Sequence, residues 1–146
     1  MQTILTTMDD ILIQLDEAVS FLKNVYPHPL DAAIVLGSGL GNFTDEIEVE
    51  KEVSYTDIPH FPVSTVKGHK GKLVFGKLAG KNIVCMAGRF HYYEGYSAEQ
   101  VVFPIRVLIR TGARAVFLSN AAGGVNEHFN VGDLMIIRDH ISFAIK

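Results

Sequence analysis

Three short apolar runs in this chain each break off into glycine or small polar residues. Asp31 to Leu36 leads into Gly37-Ser-Gly-Leu-Gly41, Ile83 to Ala87 into Gly88-Arg-Phe-His-Tyr-Tyr-Glu-Gly-Tyr96, and Ala115 to Leu118 into Ser119-Asn-Ala-Ala-Gly-Gly124. Apolar runs of four to eight residues bounded by such breakers read as buried strands. In open α/β sheets, ligands bind at the loops leaving the carboxyl ends of the strands. Three such loops at one edge would therefore converge on a single pocket, whereas one glycine-rich turn alone is usually only a turn.

The second loop carries the densest chemistry. Between its two glycines stand Arg89, His91, Tyr92, Tyr93 and Glu94. A guanidinium offers five donors and keeps its charge at any working pH, which suits a dianion such as phosphate. Glycines after the first strand let backbone N–H groups approach an anion, and Ser38 adds a hydroxyl there. Asn120 supplies an amide on the third loop, beside small residues that leave room for a ligand. The plainer alternative for the second loop is a surface turn whose tyrosines pack and whose Arg89 and Glu94 form an ordinary ion pair.

The flanking sequence organises these loops. Met8, Ile11, Leu12, Leu15, Val19 and Leu22 recur at helical spacing, with Thr7 and Asp10 in a capping arrangement and Pro27 and Pro29 at the end. Glu46 to Tyr55 alternates acidic and apolar residues, as a half-exposed strand does. Lys72–Leu78 and Asn82–Ala87 flank Ala79-Gly80-Lys81, a hairpin signal, so antiparallel as well as parallel neighbours are expected. Ser97 and Gln100 form a capping box for a helix through Arg110 that ends at Gly112, with Val101, Ile105, Leu108 and Ile109 expected to face the sheet. Strand, helix and strand from Ile83 to Ser119 then make a right-handed crossover that brings the Arg89 and Asn120 loops to one edge.

The 146 residues, 48% apolar and 20% charged, can bury one core of ordinary size. A formal charge of −3 argues against a nucleic-acid partner, and Arg106, Arg110 and Arg114 at helical spacing read as a solvated face. Cys85 is the sole cysteine; it lies inside an apolar run, as a packed thiol, and a reducing compartment follows. Asp9, Asp10, Asp16 and Glu17 stand where a basic leader would, which points to a cytoplasmic protein with no membrane partner. His28, His60, His128 and His140 lack metal-ligand spacing.

The blocks Gly37-Ser-Gly-Leu-Gly41, Gly68-His-Lys-Gly71, Gly88 to Tyr96, Ser119 to Gly124 and Gly132-Asp-Leu-Met-Ile-Ile-Arg-Asp-His140 occur in an order that resembles the purine nucleoside phosphorylases of the trimeric, low-molecular-mass type. The resemblance runs from about Leu30 to His140 and corresponds to the amino-terminal half of such a protein. It implies an α/β fold, three-layer α/β/α around a mixed sheet, with residues 1–146 forming the first part of a single domain. The implied activity is reversible phosphorolysis of purine ribonucleosides and deoxyribonucleosides, a pentosyl transfer in purine salvage. Inorganic phosphate is the co-substrate, no cofactor or metal is needed, and the assembly is a homotrimer.

By the same resemblance, Ser38, His69, Arg89, His91, Asn120 and the backbone N–H of Ala121 match phosphate ligands, and Tyr93 matches a pentose-contacting tyrosine. His91 and Glu94 are assigned to catalysis, Glu94 by orienting Arg89 or His91. Asn42 replaces a glycine common in the family's first loop. The family's purine-gripping carboxylate and amide find no match, so base preference and leaving-group activation are not assigned. Two relatives of this reading stay open: a non-catalytic phosphate- or nucleoside-binding fragment, and a methylthioadenosine phosphorylase. A dinucleotide-dependent oxidoreductase fits poorly, because Gly37-x-Gly39-x-x-Asn42 lacks the sixth-position glycine of that fingerprint.

Overall fold

The computed structural model describes residues 8–37, 39–62 and 71–141. Its elements follow as α1 (Met8–Val25), β1 (Ala32–Val35), β2 (Glu48–Ser54), β3 (Lys72–Leu78), β4 (Lys81–Ala87), α2 (Ala98–Arg110) and β5 (Ala115–Leu118). Short 3-10 turns occupy Gly41–Glu46, Tyr55–Asp57 and Tyr92–Glu94. Thr7, the expected cap of α1, lies outside the described residues.

The five strands form one mixed sheet in the order β2-β3-β4-β1-β5. The β3–β4 hairpin and the β2–β3 pair are antiparallel, while β1 runs parallel to both β4 and β5. The crossover through α2 therefore skips a position, and β1 lies between β4 and β5. Parallel pairing puts the carboxyl ends of β1, β4 and β5 at one edge, as expected, so Gly37, Gly88 and Ser119 leave the sheet side by side.

Burial follows strand alternation. Ala33, Val35, Leu73, Phe75, Val84 and Met86 share one cluster with Leu15, Ala18, Val19 and Leu22 of α1 and Phe103, Val107 and Leu108 of α2. Both helices thus cover the same face of the sheet. On the other face Val74, Ile83 and Cys85 pack with Leu36, Ile47 and the partly buried Phe43. The described residues so supply one of the two helical layers expected. Burial of a single large aliphatic side chain contributes about 1.5–3 kcal/mol, so the Leu22, Leu73 and Leu108 contacts alone fix the helices firmly.

The Ser97–Gln100 capping box is present in both directions: Ser97 Oγ accepts from the Gln100 N–H at 3.2 Å and Gln100 Oε1 accepts from the Ser97 N–H at 2.9 Å. The buried face of α2 takes in the expected Val101, Ile105 and Leu108 but not Ile109. Phe103, Pro104, Val107 and Leu108 are buried, Val101 and Ile105 flank them, and Ile109 is 51% exposed. The arginine stripe is solvated as expected, and Arg110 reaches across to Asp16 of α1 at 2.5 Å.

Beyond β5 the chain continues from Asn120 to Ile141 without helix or strand, and Val131, Leu134 and Ile136 lie open. β5 is itself an exposed edge strand, with Phe117 and Leu118 largely uncovered. No helix among the described residues is long and apolar enough to cross a membrane.

Candidate functional site

The three loops meet through Ser119. Its N–H donates to the Val35 carbonyl at 3.2 Å, extending the β1–β5 ladder by one residue. Its hydroxyl accepts from the Gly37 N–H at 2.9 Å and donates to the Val35 carbonyl at 3.2 Å. Its carbonyl accepts from Arg89 Nη1 at 2.8 Å. One residue at the end of β5 therefore holds the first loop by its side chain and the second by its backbone. Gly37 is pressed so closely against this point that a Cβ there would stand 2.6 Å from the Ser119 carbonyl oxygen and 3.0 Å from Asn120 Cα. Only a residue without a side chain permits that approach.

Arg89 leaves β4 through Gly88, whose φ of +100° belongs to the left-handed region that glycine tolerates. Its side chain is half-buried, and its Nε donates to His91 Nε2 at 3.4 Å. The His91 ring stacks on Tyr93, with centroids 4.7 Å apart and planes at 15°. Tyr93 itself is 82% exposed, so its other face is uncovered. Among the described residues no carboxylate pairs with Arg89, and its full charge stands where backbone from three strands converges.

Of the residues singled out from sequence, Arg89 and His91 are in contact and Tyr93 joins them by stacking. Asn120 adjoins Gly37 and directs its side-chain amide to the Ala121 carbonyl at 3.2 Å, and both Asn120 and Ala121 are exposed. The Glu94 carboxylate bonds to neither Arg89 nor His91; its tie to the site is its N–H, which donates to the His91 carbonyl at 3.0 Å in the Tyr92–Glu94 turn. An Arg89–Glu94 ion pair, the plainer alternative for this loop, is likewise not formed. Ser38 and His69 lie outside the described residues. Cys85 is fully buried beneath the site, where burial pushes its thiol up to about 11, so it is a packed, protonated thiol.

Two residues that the sequence did not mark hold this arrangement together. Ser119 is one. Tyr55, from the turn after β2, is the other: its hydroxyl donates to the Gly88 carbonyl at 2.5 Å. A polar residue at the end of a buried strand was a signal for Ser119, but Tyr55 is distant in sequence and only the fold brings it near. Among the described residues no group of three or more His, Cys, Asp or Glu could hold a metal ion.

A sequence model described as the Phosphorylase superfamily matches residues 31–146. The chain is 54% identical over 128 residues to purine nucleoside phosphorylase 1 of Geobacillus stearothermophilus, spanning 88% of this chain and 47% of that protein. It is 52% identical over 130 residues to purine nucleoside phosphorylase 1 of Bacillus subtilis (strain 168), spanning 89% and 48%. Among solved structures, isoform 2 of purine nucleoside phosphorylase from Schistosoma mansoni, in complex with cytosine and ribose-1-phosphate, superposes with a TM-score of 0.77 at 43% identity. That superposition covers 83% of this chain and 42% of the other. The chain spans about half the length of the curated relatives it matches. The matched residues take in all five strands and all three convergent loops, and the chain belongs to the phosphorylase superfamily.

Proposed function

We propose that this chain carries the phosphate side of a purine nucleoside phosphorylase site. The observation that carries the proposal is the Arg89 guanidinium, unpaired with any described carboxylate and held by the Ser119 carbonyl where the ends of β1, β4 and β5 meet. In the proposed reaction a phosphate oxygen attacks the anomeric carbon while the carbon–nitrogen bond to the purine breaks. The bonding electrons leave on the purine, which takes up a proton, and the products are free base and pentose 1-phosphate. Positive charge develops on the sugar, so a fixed dianion beside it stabilises the transition state before bonding to it. No covalent enzyme nucleophile is required, and holding the two reactants in line supplies much of the acceleration.

In this reading Arg89, His91, Asn120 and the Ala121 N–H grip phosphate together with Ser38 and His69, and the exposed Tyr93 face takes the pentose. Glu94 acts through the loop backbone that positions His91. The same reading extends to a homotrimer working in purine salvage in the cytoplasm, with purine nucleosides and phosphate as its ligands. A second reading is a phosphate- or nucleoside-binding chain without turnover, to which the same Arg89 guanidinium on the Ser119 carbonyl lends itself equally.

A chimera separates the two. Residues 1–146 replace the corresponding stretch of the Geobacillus stearothermophilus relative, and release of hypoxanthine from inosine is followed with and without phosphate. Phosphate-dependent release that collapses in Arg89→Ala is expected. A folded chimera with no release would refute the phosphorylase reading for this chain.

A further inference from the structure

Arg89 has to present its charge from a loop that begins with a left-handed glycine, so something must fix the loop on both sides of it. Tyr55 touches both sides. Its hydroxyl donates to the carbonyl of Gly88, the residue before Arg89, at 2.5 Å. Its ring lies 5.3 Å from that of Phe90, the residue after Arg89, at an interplanar angle of 45°. Phe90 is buried, and its ring also meets Tyr96 edge-on at 5.4 Å.

Tyr55 is itself rigidly seated. It is buried, its ring meets Phe61 at 5.7 Å, and its N–H donates to the Gly71 carbonyl at 2.9 Å. A Cβ on Gly71 would stand 2.9 Å from the Tyr55 ring, so backbone and ring are closely fitted there as well. Burial raises the phenol far above its ordinary value, so the hydroxyl stays a donor at any pH at which the protein works.

We propose that Tyr55 is a positioning residue for the phosphate site: it clamps the backbone on both sides of Arg89 and thereby aims the guanidinium at the convergence of the three loops. The proposal rests on the phosphate reading above. Its specific content is the hydroxyl, because the ring alone would serve ordinary packing. Without the hydroxyl the Gly88 carbonyl loses its partner, and the left-handed turn at Gly88 is free to drift.

Tyr55→Phe isolates that bond while keeping the ring. Phe75→Leu is the comparison, a buried aromatic of the same core whose ring meets Tyr26 rather than Tyr55. Phosphate is titrated into each folded chain, and the Arg89 Nε–H resonance is followed by NMR. Tyr55→Phe is expected to weaken phosphate binding about three- to tenfold, the range for loss of one hydrogen bond, and to shift or broaden the Arg89 resonance. Phe75→Leu is expected to lower the melting temperature without changing phosphate affinity. Equal affinity and an unmoved Arg89 resonance in Tyr55→Phe would overturn the proposal, as would an equal loss of affinity in Phe75→Leu. Failure of the unmodified chain to bind phosphate would refute the phosphate reading instead, and the Arg89 resonance alone would then decide whether Tyr55 holds the loop.

Discussion

Gly37→Ala is the sharpest perturbation the site offers, because a single methyl group collides with the acceptor of the Arg89 hydrogen bond. The added Cβ would lie 2.6 Å from the Ser119 carbonyl oxygen, whereas carbon–oxygen contacts settle at about 3.3 Å or more. Relief therefore needs a displacement of about 0.7 Å between the ends of β1 and β5. Neither partner is a flexible side-chain tip; both are backbone. Overpacking of this kind costs about 1–3 kcal/mol, a fall of about 1 M in the urea midpoint for a chain of this size.

The same displacement disturbs the 2.8 Å bond from Arg89 Nη1 to Ser119, so phosphate affinity should fall about tenfold. Gly41→Ala is the natural control, since a Cβ there meets nothing within 4 Å and the residue has no positive φ. It should stay within about 0.5 kcal/mol of the parent chain. Urea unfolding followed by circular dichroism, with phosphate titrations on the same samples, makes the comparison. Gly37→Ala unfolding at the parental midpoint with parental phosphate affinity would refute the convergence of the three loops.

The buried face of α2 gives a second contrast: Leu108→Ala should cost about 2–5 kcal/mol, and Ile109→Ala, one residue on, no more than about 0.5 kcal/mol in the same unfolding assay. The Tyr26 hydroxyl, pushed up to about 12 by burial and by its 2.6 Å hydrogen bond to Glu50, gives a pH prediction. Because its folded value lies above the ordinary 10.0, its contribution to stability is fully present below pH 10 and is lost as pH rises through about 12. Thermal melts of the parent should therefore lose stability more steeply across that window than those of Tyr26→Phe; parallel curves would contradict it.

Much of this fold was legible because it is written locally. The capping box at Ser97, the hairpin at Ala79-Gly80 and the breaks after Leu36, Ala87 and Leu118 each depend on residues adjacent in sequence, and each appears in the structure. The edge of the α2 face, where Ile109 was expected and Phe103 and Val107 are found, was not legible for a physical reason. Val101, Val102, Phe103, Pro104, Ile105, Val107, Leu108 and Ile109 make most of its circumference apolar, so two stripes fit equally well, and only packing against β-strands and α1 selects Phe103 and Val107 over Ile109.

Strand order is likewise a long-range property. Nothing near Ile34 shows that β1 will sit between β4 and β5. At the site, the charged residue and its loop were visible from composition alone, whereas its two holders were not. Ser119 works through a backbone carbonyl that every residue possesses, and Tyr55 reaches Gly88 across 33 positions of chain. Glu94 shows the opposite failure: proximity in sequence suggested a side-chain partnership, and the turn at Tyr92–Glu94 uses its backbone N–H instead.

The central claim is that Arg89 is the principal charge of a phosphate site, and calorimetric titration of inorganic phosphate into the folded chain, beside Arg89→Ala, tests it most directly. Loss of a charge-assisted hydrogen bond costs about 1.5–3 kcal/mol, so the variant, while still folded, should bind phosphate at least about tenfold more weakly. Equal phosphate affinity in the two proteins would contradict the site itself.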